Sequence, residues 1–113
     1  MATPYLFPEC PVKRVEEIIE GKWSVRILLL LLLETRSFNA LQKELEGISA
    51  NILSQRLKFL QERGLVIKRV YETKPISTFY ALTKKGQEFK GILDAMEQFG
   101  MTLSAPTKLN KAK

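Results

Sequence analysis

Phe38-Asn39-Ala40-Leu41-Gln42-Lys43-Glu44-Leu45-Glu46-Gly47-Ile48-Ser49-Ala50-Asn51-Ile52-Leu53-Ser54-Gln55-Arg56-Leu57-Lys58-Phe59-Leu60-Gln61-Glu62-Arg63-Gly64 reads as two helices joined by a tight turn. Residues three, four and seven apart share a helix face. On that spacing Leu53, Leu57 and Leu60 form an apolar stripe, and Asn51, Ser54, Gln55 and Lys58 form a polar stripe on the other side. A merely solvated face is usually rich in Glu and Lys. This one carries amides, a hydroxyl and an amine and no acid, the groups that pair with base edges and phosphates in a DNA groove.

Local chemistry predicts the limits of the two helices. Asn39 is a candidate N-cap of the first, with Gln42 three residues on, and Gly47 supplies the left-handed residue that ends it. Ser49 is a candidate N-cap of the second, Ile48 can staple onto Leu53, and Gly64 closes it. Ser49 and the free amides of the first turn also attract phosphate, because a helix N-terminus carries partial positive charge.

Outward from this unit the period changes. Leu65 to Glu72 and Thr78 to Leu82 alternate and are rich in Val, Ile, Tyr and Phe, and residues 73–77 hold Pro75, so a β-hairpin is expected. A hairpin behind a recognition helix is a wing, able to lie along the phosphate backbone. Lys68, Arg69 and Lys74 are the cations it brings, and Arg36, in a short link before the first helix, is expected to be free to reach a phosphate. Arg56 lies to one side of the recognition helix, where it grips a phosphate or ties the helix to an acidic neighbour.

Upstream, Pro11 opens a helix bearing Val12, Val15, Ile18 and Ile19, ended by Gly21. The run from Lys22 to Glu34 is apolar on every side and is expected to be a central core helix, with Trp23 packed in the same core. It is too short for the roughly 20 residues that span a bilayer, so no membrane role is expected. Downstream, Thr83 caps a last helix with Phe89, Ile92, Leu93, Met96 and Phe99 on one face. The core of so small a module is already filled by the leucine-rich helix and the helix-turn-helix. The expectation is that this last face, with Leu6, Phe7, Val12, Val15 and Ile19, is buried against a second copy of the chain; the alternative is that it folds back on its own core.

The 113 residues suit one domain: an arm over 1–10, a winged helix-turn-helix with dimerisation helices over 11–100, and a basic flexible tail over 101–113. The fold class expected is mainly α with a small β-hairpin wing. Eighteen basic against 12 acidic residues give a formal charge of +6, which favours a polyanion partner, here double-stranded DNA. Histidine is absent and Cys10 is the sole cysteine, which removes the usual zinc sites, the histidine-based triads and any disulfide within one chain. No catalytic residue, metal or cofactor is expected, and no targeting segment stands out, so the cytoplasm is the default location. The rival reading is a winged-helix module that binds protein or RNA without an operator.

Cys10-Pro11-Val12, Gly21-Lys22-Trp23, Phe38-Asn39 with Leu41 and Leu45, Gly47-Ile48-Ser49, Leu53-Ser54-Gln55-Arg56-Leu57, Gly64-Leu65-Val66 and Tyr80-Ala81-Leu82-Thr83 with Gly86 stand in a specific order. That order resembles the HxlR-type winged helix-turn-helix regulators over roughly residues 10–99. The resemblance implies a homodimeric bacterial or archaeal transcription regulator on an operator with two-fold symmetry. It also implies a redox- or electrophile-sensing role for Cys10, although the second cysteine of some members is missing; the plainer reading is a small buried thiol. Phe79 departs from the acidic residue usual in the family. A small effector between the dimer helices is left open, with no residue pointing to its chemistry.

Overall fold

The computed structural model describes residues 10–72 and 77–103. Along the chain it contains α1 (Pro11–Ile19), α2 (Ser24–Leu33), β1 (Arg36–Ser37), α3 (Phe38–Glu44), α4 (Ala50–Glu62), β2 (Val66–Tyr71), β3 (Ser77–Leu82) and α5 (Lys84–Met101). Leu6, Phe7 and Lys74, singled out above, lie outside the described residues, as do the first nine residues of the arm and residues 104–113 of the tail.

The strands form one antiparallel sheet in the order β1-β3-β2. The hairpin is the expected wing, with Arg69 opposite Phe79 and Val66 opposite Leu82. The short link before α3 is a correction: Arg36 and Ser37 pair with Tyr80 and Phe79, so this segment is a third strand. A two-residue strand has no period of its own. Its effect is to tie the base of the wing to the start of the helix-turn-helix through backbone hydrogen bonds.

The core follows the apolar stripes. Ile27, Leu28 and Leu31 of α2 meet Leu41, Leu45 and Ile48 around α3 and Leu53, Leu57 and Leu60 of α4, all buried. Each fully buried leucine or isoleucine contributes about 1.5–3 kcal/mol relative to an exposed one. The sheet adds Val66 and Tyr80, and burial raises the Tyr80 phenol above its ordinary pKa. Two expectations are corrected here. Phe89 and Leu93 of α5 are buried in the chain's own core, so these two do not wait for a second copy, whereas Val15 and Ile19 of α1 are half-buried against it. Nor is α2 covered all round: Leu29 is exposed and Leu33 is 75% exposed.

The caps explain where the helices stop. Ser37, not Asn39, caps α3: its hydroxyl accepts the Ala40 amide at 3.0 Å. Ser37 is still extended as the last residue of β1, so the helix begins at Phe38 and Asn39 already lies in its first turn. Ser49 caps α4 as expected, accepting the Ile52 amide at 3.1 Å. Gly47 has φ +92° in the turn between the helices, a left-handed conformation that a side chain would strain.

The end of α4 and the start of α5 form one joint. Gly64 donates to the Gln61 carbonyl and Leu65 to the Leu60 carbonyl, the paired bonds of a Schellman motif, with Leu60 and Leu65 both buried. Thr83 then donates its hydroxyl to the Gly64 carbonyl and its amide to the Leu65 carbonyl, while its hydroxyl accepts the Gly86 amide as the cap of α5. A Cβ at Gly86 would strike the Leu65 carbonyl, so the absence of a side chain there lets α5 sit down on the turn.

Candidate nucleic-acid interface

Three leucines on one side of α4 sink into the core, and this orients the opposite side outward. Asn51, Ser54, Gln55 and Lys58 are all exposed. The side-chain identities decide what that face can do: two amides can each donate and accept in the paired geometry that matches adenine, the hydroxyl adapts to either role, and the ammonium neutralises phosphate. Glu62 lies seven residues beyond Gln55 on the same face and is exposed. A carboxylate there repels phosphate, so the polar face suited to DNA is confined to the first turns of α4.

The wing and α3 frame this face. Ser54 of α4, Asn39 of α3 and Lys68 and Thr78 of the hairpin line one groove of about 720 Å³. The expected base-reading and backbone-binding groups Ser54 and Lys68 are thus brought together. Lys68 and Arg69 are adjacent on an extended strand and so project to opposite faces of the sheet. Lys68 faces the groove. Arg69 shares the other face with Tyr71 and Phe79, whose rings meet edge to face at 5.5 Å. Of these two cations, Lys68 lines the groove. Phe79 makes this ring contact and also lines the groove.

Two arginines of the sequence reading are already engaged. Arg36 is not free: its side chain is 11% exposed, donates to the Leu30 carbonyl at 3.2 Å and is ion-paired with Glu44. It fastens the end of α2 to α3. Arg56 points away from the polar face, donates to the Ser24 hydroxyl at 3.4 Å, and stands over the Phe59 ring. Arg63 covers the same ring and pairs with Glu17 of α1 at 2.7 Å. The neighbour that Arg56 ties to is thus a buried serine and not an acid. Asn39, read from the sequence only as a cap, lines the groove instead; that placement depends on the wing folding over α3, a long-range contact with no local signal.

A second surface lies on the far side of α2. Val25, Leu29, Leu32 and Leu33 face Leu93 and Met96 across an apolar groove of about 510 Å³, rimmed by Lys90, Asp94 and Glu97. Lys90 donates to Asp94 at 2.8 Å, and that bond holds its ammonium above the usual lysine range. Ile92, Met96 and Phe99 of α5 are exposed along the same helix, and Val12 of α1 is exposed as well. Cys10, by contrast, is a buried thiol, 6% exposed, at the N-cap of α1.

A polar recognition helix in a helix-turn-helix, with a strand-anchored hairpin beside it, is the architecture of the winged helix-turn-helix DNA-binding proteins. The model of the HxlR-like helix-turn-helix family matches residues 18–108, and the chain belongs to that family of transcriptional regulators. An HTH-type transcriptional regulator of Synechocystis is 33% identical over 91 residues, which cover 80% of this chain and 67% of the relative. A solved structure from Porphyromonas gingivalis, described as a MarR-family transcriptional regulator, superposes with a TM-score of 0.79 at 33% identity, covering 87% of this chain and 96% of that one. The redox regulator HypR in its oxidized form gives a TM-score of 0.77 at 26% identity, covering 86% of this chain and all of HypR.

Proposed function

We propose that the chain acts as a homodimer on a two-fold symmetric operator, each α4 entering a major groove and the two helices lying about 34 Å apart, one turn of DNA. The observation that carries this reading is the exposed face of Asn51, Ser54, Gln55 and Lys58, of which Ser54 lines one groove with Lys68 of the wing. Asn51 and Gln55 take base edges, Ser54 takes a base edge or a sugar-phosphate oxygen, and Lys58, Lys68 and the amides behind Ser49 take phosphates. Lys74, between the two wing strands in sequence, and the lysines of residues 104–113 add further charge, and the cytoplasm, where bacterial DNA lies, is the site of action.

The apolar groove between α2 and α5 supports the dimer. Leu29, Leu33, Ile92, Met96 and Phe99 are a cluster of large exposed apolar side chains on two neighbouring helices. Such a surface is stabilised by burial against a second copy. Val12 of α1, which is exposed as well, and Leu6 and Phe7 of the arm are further candidates. The dimer face is thus proposed on α2 and α5, with α1 contributing less than its sequence pattern indicates.

Sensing through Cys10 is the second part of the reading, supported by the similarity to a redox regulator. Burial slows the reaction of a thiol with an oxidant or electrophile, so a sensing step requires α1 to lift and expose the sulfur. Its products would be a Cys10 to Cys10 bond between protomers, a mixed disulfide or an adduct. Titrating the full chain with duplex DNA, with structured RNA as competitor, before and after oxidant treatment, tests these statements together. Preference for one duplex, at two chains per site, supports the operator. Displacement by RNA at equal concentration overturns it, and identical curves after oxidation overturn Cys10 sensing.

A further inference from the structure

Ile52 stands out on α4. It lies in the first turn, between Asn51 and Leu53 in sequence, and it is 38% exposed, outside the apolar core that takes Leu53, Leu57 and Leu60. Its position is off the buried stripe by roughly a quarter of the helix circumference, beside Gln55 three residues on at the edge of the polar face, with Arg56 four residues on along its other side. Phe59, seven residues on and almost directly in line, is covered by the guanidiniums of Arg56 and Arg63. Ile52 has no such cover, and it sits at the end of the helix that reaches deepest in a major-groove complex.

We infer that Ile52 is a specificity-determining residue that packs on the C5-methyl group of a thymine beside the bases read by Asn51 and Gln55. The inference rests on the operator reading of α4. The chemistry is specific: among the base edges of the major groove only thymine offers an apolar group, and an aliphatic side chain gains by excluding water from it. The contact distinguishes thymine from cytosine at a position where neither amide pairs. Ile52 is also placed so that truncation leaves the core and the Ser49 cap intact, because that cap uses the Ile52 backbone amide and not its side chain.

The test uses the full chain and a duplex enriched by it from a randomised pool. Each thymine is replaced in turn by 2′-deoxyuridine, which removes only the methyl group, and affinities are measured for the wild type, Ile52→Val and Ile52→Ala. The expected result is one thymine per half-site at which deoxyuridine weakens the wild type about fourfold, the worth of one buried methyl. At that position Ile52→Ala is insensitive, Ile52→Val is intermediate, and all other positions respond alike in the three proteins. An enriched duplex whose deoxyuridine responses are the same in wild type and Ile52→Ala overturns the inference and leaves the operator reading standing. A pool from which no duplex is enriched overturns the operator reading and the inference with it.

Discussion

Gln55, on the exposed face of α4, and Lys68, in the groove that Ser54 also lines, are expected to fail in different ways when removed. Gln55→Ala deletes an amide that reads a base edge, so it should cost about 1–3 kcal/mol on the operator and little on random duplex, measured by fluorescence anisotropy. Equal loss on both duplexes would contradict a base-reading role. Lys68→Ala deletes a point charge in the groove, so it should weaken every duplex alike and reduce the slope of log affinity against log salt by about 1. Cys10, buried at the head of α1, should react with a thiol reagent far more slowly in the native protein than in denaturant. Fast native modification would show that α1 opens readily. The arginines show what sequence does not reveal at this scale. Arg36 and Arg56 have the right charge and the right neighbourhood, but their partners Glu44 and Ser24 are eight and 32 residues away, and no local pattern announces those contacts.

The helix-turn-helix was legible because each of its parts has a local cause. The apolar spacing of Leu53, Leu57 and Leu60 sets the buried side of α4, and Ser49, Gly47 and Gly64 set the limits of the helix and its turn. The cap of α3 was misplaced by two residues because Ser37 and Asn39 are both good capping residues. Only the pairing of β1 with β3 decides that Ser37 remains extended. The wing was legible from its alternation; its third strand was too short to show a period. Two consequences belong to this level. Ser49→Ala should destabilise the fold by about 1 kcal/mol through loss of the α4 cap. Gly86→Ala should cost about 1–3 kcal/mol, because α5 must move off the Leu65 carbonyl to make room. Urea unfolding reads both, and an unchanged midpoint for Gly86→Ala would mean that the joint between α4 and α5 is looser than its hydrogen bonds indicate.

Over the whole molecule, two surfaces on different sides have different chemistries, a polar groove framed by α3, α4 and the wing and an apolar one between α2 and α5. The first was legible from residue types on one helix. The second was only partly so. A helix such as α2, apolar on all sides, gives no sign of which side stays uncovered, and only packing shows that Leu29 and Leu33 do. Conversely, Phe89 and Leu93 look identical in the sequence to Ile92 and Phe99, but the first two turn into the core. Leu33→Glu combined with Phe99→Glu should therefore leave the circular dichroism of the fold intact and convert a dimer to a monomer in sedimentation equilibrium. A variant that remains dimeric would place the interface elsewhere.

The most direct test of the central claim is the anisotropy of duplex DNA from upstream of the coding sequence against random duplex, titrated with the full chain over a salt series. The account predicts tighter binding to the first duplex, saturation at two chains per site, and a preference that persists as salt rises, because base contacts do not depend on counterion release. A selected duplex enriched from a random pool replaces the upstream one if the operator lies elsewhere. Equal affinities for all duplexes, falling together with salt, would contradict the account and leave only the attraction of a chain with a formal charge of +6 for a polyanion.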